Sequence, residues 1–286
     1  MTKELLQEQL EILDRTNMHK NAAKERVIPE SYLAYKNQVE QKETMLESPS
    51  TGEKDAPLFI NLHGGGFVHP QDGDDDLFCA RVAAEIDGIV VDVDYAVTPE
   101  YVFPTAFEQV WDVAEWAFAH AKELGADSNR ISIGGHSAGG ALTAAICLRA
   151  AKTGNMKFAL QILDYAALDN AMSFEPGGNE RSRAFSMLYC DGNVRVLKCP
   201  YCSPVFASGE MLKNQPRTLI INAEHCPFRT VTERYGQRLA QVGNEVAFRL
   251  FPGSAHGFTI RMTGAWLEAQ DLIIRYLKKA EYREVK

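Results

Sequence analysis

Ser137 lies within Gly135-His136-Ser137-Ala138-Gly139, the G-x-S-x-G spacing in which flanking glycines permit a turn sharp enough to lift the hydroxyl clear of the backbone. Such a serine attacks an acyl carbon if a base takes its proton and donors hold the oxyanion that forms. His63-Gly64-Gly65-Gly66-Phe67 offers the donors. Main-chain N–H groups there have little Cβ obstruction, and with the N–H of Ala138 they would form an oxyanion hole. A phosphate cradle is the competing use of three glycines, but no Gly-Lys-Ser/Thr follows them. The candidate base is His256 in Ser254-Ala255-His256-Gly257-Phe258, placed after the serine as in the hydrolase order of serine, acid, histidine. Taken singly, these are an ordinary serine at a glycine-rich helix start and a surface-loop histidine. Together they point to acyl transfer.

The flanking elements predict how these residues are positioned. An apolar run over 58–62 ends in the glycine loop, and 131–133 reads as a strand leading into the serine. Further strands are expected near 89–95, 158–163, 218–222 and 246–251, and helices over 78–86, 107–124, 138–152 and 231–242. Strands alternating with long helices predict an α/β domain over 56–286, a parallel sheet covered on both faces. Residues 1–55 are polar and helix-like, punctuated by Pro29 and the Ser48–Gly52 stretch, and read as an appended arm or cap. Leu5, Leu6, Leu10 and Leu13 place an amphipathic helix at its start.

Composition narrows the function classes. The chain has 286 residues, 45% of them apolar and 24% charged, which is a globular balance able to bury a large core. A net charge of −8 argues against nucleic-acid and anionic-membrane partners. No apolar run approaches a spanning helix, and the N-terminus is too charged for a secretory signal. Six cysteines without such a signal read as free thiols, so the expected location is cytoplasmic.

The chain resembles the hormone-sensitive-lipase-like branch of the α/β-hydrolase esterases over roughly residues 56–278. The resemblance rests on HGGGF at 63–67, on Asp94-Tyr95 with Thr98-Pro99-Glu100 and Phe103-Pro104, and on GHSAGG at 135–140. It continues in Cys202-Ser203-Pro204-Val205 and His256-Gly257-Phe258. It implies a mostly parallel eight-stranded sheet and a helical cap built from the N-terminal arm and an insertion around 170–200. It also implies cofactor-free hydrolysis of small carboxylic esters with short to medium acyl chains. By the same match Ser137 is the nucleophile, His256 its base, and Gly65, Gly66 and Ala138 the oxyanion donors.

One position departs from the family. Where it places an aspartate, this chain has Cys226, in Cys226-Pro227-Phe228-Arg229-Thr230. The triad acid orients the imidazole, fixes its tautomer and stabilises the imidazolium; a neutral thiol is a weak substitute. Three readings stay open: Glu224 or Asp169 supplies the carboxylate; the enzyme runs slowly on Ser137 and His256 alone; or the chain is a catalytically impaired hydrolase-fold protein that binds a small ligand. Cys199-Pro200-Tyr201-Cys202 has dithiol spacing but no thioredoxin pattern around it, and the cysteines lack the second close pair of a zinc site, so no metal is expected. Asp72 and Asp74–Asp76 read as a solvated loop face. Oligomeric state is left open, with a homodimer as one option.

Overall fold

The structure is a computed structural model that describes residues 1–17, 55–71, 73 and 75–282. Most of the expected arm, residues 18–54, therefore lies outside the described residues, as do Asp72 and Asp74.

The apolar runs become strands β1 (Ala56–Leu62), β2 (Ile89–Val93), β3 (Ala126–His136), β4 (Leu160–Asp164), β5 (Thr218–His225) and β6 (Val246–Ala255). They form one sheet in the order β2-β1-β3-β4-β5-β6, and every pairing is parallel. Among the described residues the sheet thus has six strands and not eight. The larger number came from the family resemblance, whereas the residues themselves offer six strand-like runs from position 56 onward.

Alternation along the strands divides the core into two faces. Leu58, Ile60 and Leu62 of β1 point to the face covered by α3 (Thr105–Ala119) and α4 (Ala138–Thr153), while Phe59 points to the other. That second face is covered by α2 (Asp76–Ile86) and α7 (Trp266–Lys278). Further along, Leu163 and Ile220 meet α6 (Arg229–Gln241), with Tyr235 and Leu239 fully enclosed. The helix expected over 107–124 breaks at His120 and resumes for one turn, Ala121–Leu124, before Gly125 ends it at φ +80°. An uninterrupted apolar period hides that break, because periodicity reports which face is buried and not whether the axis is continuous.

The amphipathic N-terminal helix is α1 (Lys3–Asn17). Leu13 is buried against Ala184 and Leu188 of α5 (Glu180–Tyr189), with Leu6, Leu10 and Val68 around them. Asn179 caps α5 by accepting from the Ser182 N–H at 3.0 Å. The pair α1 and α5 thus sits beside the glycine loop, at the carboxyl ends of the strands, where α/β sheets bind ligands.

Candidate active site

Strand register brings the site together. Leu62 pairs with Gly135 and His136 with Asp164, so β1, β3 and β4 end at one level; Asp164 pairs with Ile221, and β5 and β6 run on past it to the pair His225 and Ala255. The glycine loop, Ser137, Tyr165, Cys226 and His256 are the first residues past those ends.

Ser137 has φ +53° and ψ −110°, a conformation that only surrounding constraint maintains. Its N–H donates to the Asp164 carbonyl at 3.0 Å, and its carbonyl accepts from Ala167 N–H at 2.9 Å. The glycines are required by contact: a Cβ on Gly139 would lie 2.0 Å from the Leu62 carbonyl oxygen, and one on Gly135 2.5 Å from Gly139. Ala138 opens α4, so its N–H has no helical partner. Gly65 (φ +114°) and Gly66 (φ +66°) turn the facing loop, and a side chain at Gly66 would collide with the Phe185 ring at 2.6 Å. The N–H groups of Gly65, Gly66 and Ala138 donate to no carbonyl among the described residues, and all three residues line the cavity that holds Ser137. They can serve as oxyanion donors.

Ser137 Oγ stands 3.0 Å from His256 Nε2, and Cys226 Sγ stands 3.2 Å from His256 Nδ1. The three residues form a continuous relay, with a sulfur on the Nδ1 side of the ring. The His256 ring is bracketed by the edges of Tyr165 (4.9 Å, 68°) and Phe228 (5.3 Å, 71°). Burial, followed by the positive charges of Arg261 and Arg181, pushes its pKa down to about 3. Among the described residues no carboxylate hydrogen-bonds to the ring to offset this. Glu224 is exposed, and its Oε2 accepts from Gly253 N–H at 2.7 Å. Asp169 closes its own loop, with Oδ1 accepting from Ala171 and Met172 N–H at 2.9 and 3.1 Å. Neither hydrogen-bonds to His256. Burial likewise pushes the Cys226 thiol up to about 11, although the nearby N–H groups of Phe228 and Arg229 favour its anion. Cys226 and His256 are therefore both neutral near pH 7.

Sequence reasoning missed a buried polar layer beneath the serine. His136, the variable residue of the motif, bonds through Nδ1 to Asp164 Oδ2 at 2.8 Å. Burial opposes its charge, but hydrogen bonding to Asp164 and the charges of Asp75, Asp164 and Asp92 together raise its pKa. Asp75 is buried and accepts from Asn61 Nδ2 at 3.1 Å, and Asn61 also donates to Asp92 at 2.8 Å. For Asp75 this corrects the solvated-face reading; the amide at the end of β1 draws the carboxylate inward. The cysteines are free thiols, with Cys202 buried, and no cluster of metal-ligating side chains occurs among the described residues.

A parallel sheet flanked by helices, carrying a strained serine at a strand-to-helix turn, defines the α/β-hydrolase class. The family model of the alpha/beta hydrolase fold matches residues 59–260, and the chain belongs to that family. It is 32% identical over 217 residues to Esterase LipI of Mycobacterium tuberculosis, covering 72% of this chain and 67% of that protein. It is 31% identical over 214 residues to an arylesterase of Saccharolobus solfataricus, covering 70% and 68%. Among solved structures, carboxyl esterase 2 of Tuber melanosporum superposes with a TM-score of 0.75 at 28% identity, covering 83% of this chain and 82% of that one. These relatives place the chain in the hormone-sensitive-lipase-like branch that its motifs indicate. No helix among the described residues is long and apolar enough to cross a membrane.

Proposed function

We propose that the protein is a carboxylesterase-type serine hydrolase that cleaves small carboxylic esters with short to medium acyl chains through an acyl-enzyme on Ser137. The observation that carries this reading is the 3.0 Å approach of His256 Nε2 to a serine held at a strained elbow facing the glycine loop. Ser137 Oγ attacks the ester carbon while His256 takes its proton, and the oxyanion is held by the N–H groups of Gly65, Gly66 and Ala138. His256 then protonates the leaving alcohol. Water, deprotonated by the same ring, releases the acid. A cavity of about 330 Å³ suits a short or medium acyl chain. Helices α1 and α5, packed on each other beside it, act as the cap.

Cys226 divides the two duties of the missing acid. Orientation survives, because the sulfur and the edges of Tyr165 and Phe228 hold the ring. Charge stabilisation does not, because nothing negative faces the imidazolium. A thiol also differs from a carboxylate in being able to donate. When it accepts from Nδ1–H, Nε2 is free to take the serine proton; when it donates S–H to Nδ1, the ring presents Nε2–H and the relay is blocked. Slow turnover on an intact frame follows. The second reading, a ligand-binding protein without turnover, draws support from that blocked tautomer.

An organophosphonate probe separates the two. Covalent labelling on Ser137, absent from Ser137→Ala, supports the hydrolase. A folded parent protein that stays unlabelled overturns it in favour of the binder.

A further inference from the structure

The cavity holds an unusual pair of charges. Arg181, on the first turn of α5, and Arg261, on the loop after β6, both line it together with Ser137 and His256. Arg261 lies against the residue next to His256: a Cβ on Gly257 would meet its Nε at 3.1 Å and its Cζ at 3.2 Å. Arg181 sits 5.2 Å from the Phe185 ring centroid, and Phe185 is the side chain that covers Gly66. The two arginines thus flank the catalytic groups from the base side and from the glycine-loop side.

No ion pair is seen for either among the described residues, and the buried Nε of Arg181 has no hydrogen-bond partner there. The carboxylates that share the cavity are engaged elsewhere: Asp169 with its own loop, and Asp75 with Asn61. Burial and the neighbouring charge of Arg261 lower the pKa of Arg181, so Arg181 is held half-buried beside a like charge, while Arg261 reaches the same cavity from the exposed side. Each also disfavours protonation of His256, which a plain ester substrate would gain nothing from. An anion bound between them would satisfy the guanidinium donors and cancel the field that opposes the imidazolium.

We propose that Arg181 and Arg261 form a receptor for a carboxylate on the substrate, so that the preferred esters are anionic ones carrying a carboxylate outside the scissile bond. This rests on the hydrolase reading for its catalytic half, but the anion site itself is testable without turnover. Titrating glutarate into Ser137→Ala should raise the melting temperature, because a ligand that binds only the folded state stabilises it. Arg181→Met and Arg261→Met in that background should each remove most of the shift, and Arg→Lys should restore part of it. Without ligand, Arg181→Met should melt above its parent, since a repelled and desolvated charge is gone, whereas a merely structural arginine would lower the melting point when removed.

Turnover gives the second measurement. In the active protein, 4-acetoxybutanoate should exceed its neutral methyl ester in kcat/KM by at least tenfold if the anion sits on the alcohol side. Monoethyl succinate should exceed diethyl succinate if it sits on the acyl side. The arginine variants should bring the favoured ratio near one. Glutarate binding without hydrolysis of any ester would retain the receptor and overturn the hydrolase reading. Hydrolysis of neutral esters with no glutarate effect and no preference for either anionic ester would overturn the receptor alone.

Discussion

The elbow at Ser137 and the loop at Cys226 stand at opposite ends of the same relay and are determined to very different degrees. At the elbow, two glycines cannot accept a Cβ, the serine backbone is bonded on both sides, and the φ is one that few residues tolerate. At Cys226 the backbone forms an ordinary turn, with Arg229 N–H on its carbonyl at 3.2 Å, and the link to His256 rests on the side chain alone. The difference shows that the relay is fixed by the main chain at one end and by a single side chain at the other. Geometry belongs to the main chain, whereas the charge depends on one residue.

The largest effect should come from the determined end. Ser137→Ala removes the nucleophile without disturbing the turn, so p-nitrophenyl acetate hydrolysis should fall at least about a thousandfold while the melting temperature stays within a few degrees. Activity retained in that variant would mean that another group, such as a free thiol, carries the hydrolysis.

The other end should respond in the opposite direction. Cys226→Asp puts a carboxylate where the sulfur now meets His256 Nδ1, and kcat should rise at least about tenfold, because the charge it stabilises develops only as serine attacks. The pH profile sharpens the same contrast. His256 must be neutral to accept a proton, and with its pKa pushed down to about 3 the parent should lose no activity to imidazole protonation between pH 8 and 5. A carboxylate at 226 favours the imidazolium and raises that pKa, so the acid limb of the variant should move up by at least about one unit. Above neutrality the order reverses. With the Cys226 thiol pushed up to about 11, the parent rate should climb through pH 8–10 as thiolate forms, while the aspartate variant stays level.

The smallest effects should come from the two carboxylates that the sequence offers as substitute acids. Glu224→Gln and Asp169→Asn should each leave kcat within about twofold of the parent, since their oxygens bond Gly253 and the Ala171–Met172 turn. Loss of activity in either would mean that the acid has moved and that Cys226 is a bystander.

What could be read from the sequence was what depends on short-range spacing. The glycines around Ser137 and those of the loop at 64–66 are local devices, and six strand-like runs announced the six strands that form. The contact between Cys226 and His256 needed the pairing of His225 with Ala255, which no single segment encodes. The arginine pair was invisible for the same reason: position 181 opens a cap helix, position 261 follows a strand, and only the closed fold sets them in one cavity. Asp75 shows the converse failure. Surrounded by acidic neighbours it reads as solvent-facing, yet one amide at the end of β1 holds it inside.

The paired backbone bonds of Ser137 bear on how the protein loses activity on heating. Its N–H is bonded to β4, and Tyr165 N–H beyond that strand is bonded to Ile221 of β5 at 2.8 Å. The nucleophile is thereby tied into the middle of the sheet, where amide hydrogens exchange only when the whole domain opens. The serine should therefore keep its place up to the melting transition, and any earlier loss of activity on warming would begin in the packed pair α1 and α5, well before the sheet gives way.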